Sequence, residues 1–220
     1  MKSRTKIFDA HTHHITDNGL IHFDIKLEKD LPQKGRFFSI GLHPWNIDGE
    51  EPSSIKGKLD KYILDKRVVA LGECGLDRTR NFGELQKDIF KEHLIFAKEK
   101  KLNVVIHCVK AQNEVLSIVK KVNFKGKLFF HHFNGSFTEA SHLVSLGHFL
   151  GVGKNIIKET KISKYLKDIP ISNILIESDG EEKLLPAIMD KVCLLKNLKK
   201  EDLIYNQIHS LKNAFPLIRL

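Results

Sequence analysis

Residues 104–132 read VVIHCVKAQNEVLSIVKKVNFKGKLFFHH. Val104 to Ile106 form a short apolar run, Val115, Leu116, Ile118, Val119 and Val122 mark one face of a helix, and Leu128 to Phe130 form a second apolar run. The order is strand, helix, strand. Neither run alternates with polar residues, as befits strands of a parallel sheet covered on both faces. Each ends in a histidine, His107 and His131.

The same rhythm extends in both directions. Ile7 to Ala10, Phe37 to Ile40, Val68 to Leu71, Phe149 to Val152 and Ile174 to Ile176 are further buried strands in this reading, seven in all. Leu85, Ile89, Phe90, Leu94 and Ala97 recur at helical spacing, and Ser136 with Glu139 forms a capping box opening a helix through Ala140, Leu143 and Val144 that stops at Gly147. Strands alternating with helices over 220 residues define an α/β chain, either a (β/α)8 barrel or a doubly wound sheet. No linker, repeat or low-complexity tract divides it, so residues 1–220 are expected to form a single domain. The exception is Thr16 to Gly35, with one alternating stretch, Leu20 to Ile25, and a turn at Pro32 to Gly35. If that stretch is the second barrel strand, the helix after strand 1 is missing.

Composition sets outer bounds. With 41% apolar and 29% charged residues the chain is neither disordered nor fibrous. Lys+Arg of 36 against Asp+Glu of 27 gives +9, which admits a polyanionic partner without requiring one. Cys74, Cys108 and Cys193 make no CxxC pair, so a disulfide framework is not expected and a reducing cytoplasm fits. The start, MKSRTKIFDAHTHH, lacks the apolar stretch of a secretory leader, and no run approaches the length of a membrane span. Twelve histidines are the unexpected number.

Five strands end in residue types that bind metal. Ile7 to Ala10 runs into His11-Thr12-His13, and two residues apart on a strand point the same way, so both imidazoles can chelate one ion. Val68 to Leu71 leads to Gly72-Glu73, Val104 to Ile106 to His107, Leu128 to Phe130 to His131, and Ile174 to Ile176 to Asp179. In a parallel barrel all these ends meet at one rim, the face where barrel active sites lie. Singly each residue has a dull reading, a hydrogen-bonded rim histidine or a helix cap. Together they define a metal site.

In their order, His11-Thr-His13, Gly41-Leu-His43-Pro44, Gly72-Glu73-Cys-Gly75-Leu-Asp77, Ile106-His107 followed by Ala111, His131-His-Phe133-Asn-Gly135-Ser136 and Glu177-Ser-Asp179 resemble the motifs of the TatD family of metal-dependent hydrolases, from about Phe8 to Phe215. The resemblance implies a TIM-type, amidohydrolase-like barrel with one or two divalent metals and, as the best known activity, DNA hydrolysis. It places the metal ligands on His11, His13, Glu73, His107, His131 and Asp179, with Glu73 bridging two ions, the HxH pair and Asp179 on one and the two later histidines on the other. Two carboxylates against two divalent ions leave two positive charges, suited to hydroxide and an anionic phosphodiester. Histidine-rich ligation favours zinc, manganese, iron or nickel over calcium, and magnesium fits where substrate oxygens complete its shell. The implied reaction uses a metal-activated water, with Asp179 as proton acceptor and Glu73 as the bridging catalytic carboxylate. His43 resembles a substrate contact, Lys110 could meet phosphate as a point charge, and Asp77 would orient a ligand or loop.

The chain departs from the family pattern at four places. Thr16 to Gly35 is about one helix short, the usual Glu-Thr-Asp-Ser-Pro is Glu177-Ser178-Asp179-Gly180-Glu181, a usual arginine is Val109 beside Lys110, and a usual cysteine is His132. Strand alternation would point His132, like His14, away from the metals. His22, His93, His142, His148 and His209 have no motif around them and read as structural or surface residues. Lysines cluster at Lys98 to Lys101, Lys120 to Lys127 and Lys196 to Lys200, away from the motifs, and Trp45 and Phe133 read as packing residues. The leading function is a metal-dependent deoxyribonuclease acting as a monomer. The alternatives are hydrolysis of a small-molecule amide, ester or lactone, and a metal-dependent binding protein without turnover.

Overall fold

The computed structural model describes residues 7–80, 83–158 and 160–220. Residues 1–6, part of the stretch read as carrying no leader, lie outside the described residues. Eight parallel strands succeed one another around a nearly closed barrel: β1 (Asp9–Thr12), β2 (Gly19–Asp24), β3 (Phe37–Gly41), β4 (Val68–Asp77), β5 (Val104–Val109), β6 (Leu128–Phe130), β7 (Phe149–Val152) and β8 (Ile174–Ile176). The helices are α1 (Ile55–Asp60), α2 (Glu84–Lys100), α3 (Gln112–Val122), α4 (Phe137–Ser145), α5 (Lys161–Tyr165), α6 (Leu185–Lys196) and α7 (Lys200–Ala214). The seam between β1 and β8 is fastened by two backbone donors, Asp179 N–H to His11 O at 3.1 Å and Ser178 N–H to Asp9 Oδ1 at 2.9 Å. Burial raises the Asp9 pKa to about 6, against the hydrogen bonds it accepts there.

The period-2 geometry of strands stacks two layers inside the barrel. Leu20, Phe37, Val105, Phe129, Phe149 and Leu175 form an apolar cluster with Leu211, Ala214, Phe215 and Ile218 from the C-terminal end. Phe215 meets Phe129 at 5.9 Å between ring centroids, and Ala214 O accepts a hydrogen bond from Asn103 Nδ2. Two residues further along β2, β5, β6 and β8 the same face turns polar, at His22, His107, His131 and Glu177.

No helix separates β1 from β2, as expected, and the connection from β2 to β3 is helix-free as well. Tyr62 and Arg67 hold that flank. Tyr62 packs edge-on to Phe23 and donates to Lys29 O, while Arg67 lies over Phe38 and donates to Pro32 O. The capping box at Ser136 and Glu139 is present. On α2 the face of Ile89, Phe90, Leu94 and Ala97 is buried, whereas Leu85 is exposed.

His93 locks α2 to the barrel. Its Nε2 accepts the Leu42 N–H at 3.0 Å, so the proton sits on Nδ1, which donates to Ile89 O at 2.8 Å. Burial pushes its pKa down from 6.5 to about 4. As pH falls the unfolded chain takes up this proton first, so its contribution to stability is lost between pH 6.5 and 4. Measured by urea unfolding, the stability difference between wild type and the non-titrating His93→Gln should therefore shift against wild type by about 3 kcal/mol from pH 7.5 to pH 4.

Candidate metal centre

Glu73 reaches the centre of the rim through an irregularity in β4. Leu71 pairs with Val104 and Cys74 with Ile106, so β4 carries one extra residue opposite β5 at Gly72-Glu73. The flanking glycines are required there. Gly72 (φ 103°) and Gly75 (φ 147°) lie in the left-handed region, and a Cβ at either would fall 2.1 Å from Val105 O or 2.0 Å from His107 O.

The Glu73 carboxylate, 1% exposed, is shared among imidazoles. Oε1 lies 2.6 Å from His107 Nδ1, 2.6 Å from His131 Nε2 and 3.1 Å from His43 Nε2; Oε2 lies 3.2 Å from His11 Nε2 and 3.9 Å from His13 Nε2. Asp179 Oδ1 stands 3.4 Å from His13 Nε2 and 4.0 Å from His11 Nε2. The six residues named as ligands from the sequence are thus gathered at one rim. Three ligand groups result, each with its atoms within 4.8 Å of one another: His11 with Glu73 and His131, His11 with His13 and Asp179, and His43 with Glu73 and His107.

The donor set fits divalent cations. Among the described residues both ring nitrogens of His11, Glu73 Oε2 and His131 Nδ1 are buried without a hydrogen bond of good geometry, a cost that coordination would remove. Burial opposes ionisation of Glu73, yet His131, His107 and His11 hold its carboxyl well below the usual range. Burial likewise opposes ionisation of Asp179, and hydrogen bonds from His13 and His132 bring it below. Burial lowers His131 to about 4, leaving it neutral and able to ligate. His107 is raised: against burial, Glu73 and Asp77 both favour its protonated form.

Supporting groups surround this cluster. Asp77 Oδ2 accepts from Trp45 Nε1 at 2.7 Å and stands 3.0 Å from His107 Nε2, which orients that ring as expected. Asp24 accepts the backbone N–H groups of Lys26, Leu27 and His43 and the Asn46 side chain, which braces the His43 loop. Trp45 N–H donates to His43 Nδ1, so this ring both stabilises the turn and presents Nε2 to Glu73. Glu177 is buried near Asp179, Asp9 and Glu73; burial, then the Asp179 charge, push its pKa well above the usual range.

Three placements differ from the sequence reading, those of His132, His22 and Trp45. His132 does not point away: β6 ends at Phe130, the chain turns through φ 47° at His132, and its Nδ1 lies 3.2 Å from Asp179 Oδ2. His22 lines the central cavity of about 530 Å³. Trp45 stands 52% exposed at that cavity, while Phe133 is buried as expected. Lys110 lines a neighbouring cavity of about 380 Å³, to which His131 is common. His14 turns to Glu182, and His142 and His209 are exposed. No signal in one sequence marked His22, since nothing around it repeats a motif.

A parallel (β/α)8-type barrel carrying histidines and carboxylates at the C-terminal ends of its strands has the face on which such barrels build their sites, lined here by groups suited to hold a metal. The chain belongs to the TatD related DNase family, whose model matches residues 6–209. It is 30% identical to the 3'-5' ssDNA/RNA exonuclease TatD of Klebsiella pneumoniae, over 66% of this chain and 57% of that protein, and 29% identical to an uncharacterized metal-dependent hydrolase of Buchnera aphidicola, over 66% and 58%. The chain therefore spans little more than half the length of these curated relatives. Its fold is similar to the crystal structures of a TatD family hydrolase from Entamoeba histolytica (TM-score 0.81, 17% identity, 98% of this chain and 100% of that chain) and of the TatD homolog YJJV from Escherichia coli (0.75, 20%, 90% and 86%). Among the described residues no helix is long and apolar enough to cross a membrane.

Removing the anion behind His107 should loosen the centre without unfolding it. Asp77→Asn is expected to lower divalent-metal affinity 10- to 100-fold, read by calorimetric titration, with an unchanged circular dichroism spectrum.

Proposed function

We propose that this chain is a divalent-metal-dependent phosphodiesterase that hydrolyses DNA, working as one domain and as a monomer in a reducing cytoplasm. The observation that carries the reading is the buried Glu73 carboxylate with His107 and His131 on one oxygen and His11 on the other, beside His13 and Asp179. Membership of the TatD related DNase family and the exonuclease name of a relative support it.

His11, His13 and Asp179 would hold one ion, His107 and His131 a second, with Glu73 between them. The chemistry these ions supply is Lewis acidity towards the phosphodiester and the attacking water. The ligand set admits zinc, manganese, iron, nickel or magnesium.

The residues of the chain carry the remaining steps. Asp179, held ionised by His13 and His132 and 21% exposed at the mouth, is placed to accept the proton of the attacking water as the phosphorus–oxygen bond to the leaving nucleotide breaks. Asp77 fixes His107, and the Trp45 turn fixes His43, so neither ring must reorganise as charge develops. His43 lines the cavity with its Nε2 3.1 Å from Glu73 Oε1, and would contact an anionic substrate oxygen once that carboxylate is taken up by the ions. Lys110, at the neighbouring cavity, would meet the continuing phosphate backbone.

Labelled single-stranded DNA with manganese or magnesium tests this reading. Wild type should cleave, a chelator should abolish cleavage, and Asp179→Asn should lower turnover by about 10²- to 10⁴-fold. Wild type and Asp179→Asn equally inert on DNA and on simple phosphodiesters would overturn it.

A further inference from the structure

The cavity around Glu73 has a wall that metal ligation does not use. His22, on β2, is 6% exposed and lines the cavity with His13, Asp24, His43, Glu73 and Asp179. Its Nδ1 accepts the Glu73 backbone N–H at 2.8 Å. A ring nitrogen that accepts carries no hydrogen, so the neutral imidazole bears its hydrogen on Nε2. That Nε2 is buried without a hydrogen-bond partner among the described residues. The ring stands edge-on to His13 with centroids 5.5 Å apart and lies 6.2 Å from the His11 ring, beside the ligand cluster and in none of the three groups able to share an ion. An Nε2–H of this kind cannot ligate a cation. It can donate to an anion.

Building on the phosphodiester reading, we propose that His22 is a substrate contact whose Nε2–H donates a hydrogen bond to a non-bridging phosphate oxygen. His43 shares only the device that fixes the tautomer: its Nδ1 accepts the Trp45 backbone N–H at 3.1 Å, but its Nε2 faces Glu73 Oε1 at 3.1 Å, so among the described residues the unpartnered donor of this wall is that of His22. The choice of side chain has a physical reason. A lysine or arginine here would repel divalent ions held by His11, His13 and Asp179, whereas a neutral donor binds the substrate anion without adding positive charge. The backbone bond from Glu73 fixes both the tautomer and the direction of the ring, so the donor is in place before substrate arrives.

Metal-loaded protein titrated with inorganic phosphate, followed by the fluorescence of Trp45, the one tryptophan of the chain, tests this directly. The two amide variants separate donation from bracing. In His22→Asn the side-chain oxygen can replace Nδ1 as acceptor for Glu73, but no donor reaches the Nε2 position. In His22→Gln the amide reaches the Nε2 position and gives up the Glu73 bond. His22→Asn should weaken phosphate about tenfold or more with metal content unchanged, and His22→Gln should bind phosphate more tightly than His22→Asn. The reverse order would show that His22 acts only through the Glu73 backbone, and loss of metal in His22→Asn would make it a ligand; either overturns the proposal. In the wild type the His22 Nε2–H proton resonance should move downfield on adding phosphate, and no movement overturns the proposal even if both variants fail to fold. A wild type with no fluorescence response to phosphate overturns the phosphodiester reading together with this one. A wild type that responds, with both variants matching it, overturns this one alone.

Discussion

A carboxylate at 1% exposure, with His107, His131 and His43 around one oxygen and His11 on the other, is the constraint on which the rest of this structure depends. An unpaired carboxylate at that depth would cost several kcal/mol or give up its charge. The surrounding imidazoles cannot all be protonated without repelling one another, and neutral imidazoles turn lone pairs towards the same point. Cations held between Glu73 and the rings would satisfy both demands at once. The irregularity in β4, its two glycines and the Asp77 support of His107 all serve to bring that one side chain to that one place.

The surplus of histidine divides by what each ring nitrogen does. His11, His13, His107 and His131 face carboxylates at the rim. His22, His43, His93 and His148 each accept a backbone N–H, which selects a tautomer and a direction. In His93 and His148 the result is structural, one ring tying α2 to the segment after β3 and the other lying between β6 and β7. In His43 the same device turns Nε2 to Glu73 Oε1, and in His22 it leaves Nε2 at the cavity wall without a partner among the described residues. One local interaction thus recurs in packing around the barrel and in the wall of the central cavity.

Much of the barrel was legible because strands buried on both faces are continuous apolar runs; β6, β7 and β8 have the limits read from the sequence. Alternation put His11 and His13 on one face, whereas His107 and His131 were found as the residues that end apolar runs; alternation failed where a strand stops, since His132 lies beyond the end of β6 and faces Asp179. It fails for a second reason at β4, where the extra residue reverses the face on which Cys74 and the later residues of the strand lie. Helix α7 escaped because its inner face is partly polar. Gln207 is buried there and makes both amide bonds to the backbone of β8, with Ile174 O and Ile176 N–H, so the apolar period is broken where the contact is closest. His22 was hidden by the missing helix, since its strand comes after a segment with no pattern to place it in register.

The measurement that bears most directly on the central claim is a crystal structure of the manganese-loaded protein with anomalous scattering. Peaks within about 2.3 Å of Glu73 oxygens are expected, with His11, His13 and Asp179 completing one shell and His107 and His131 the other. Ions bound elsewhere on the barrel, with Glu73 still enclosed by imidazoles alone, would contradict it.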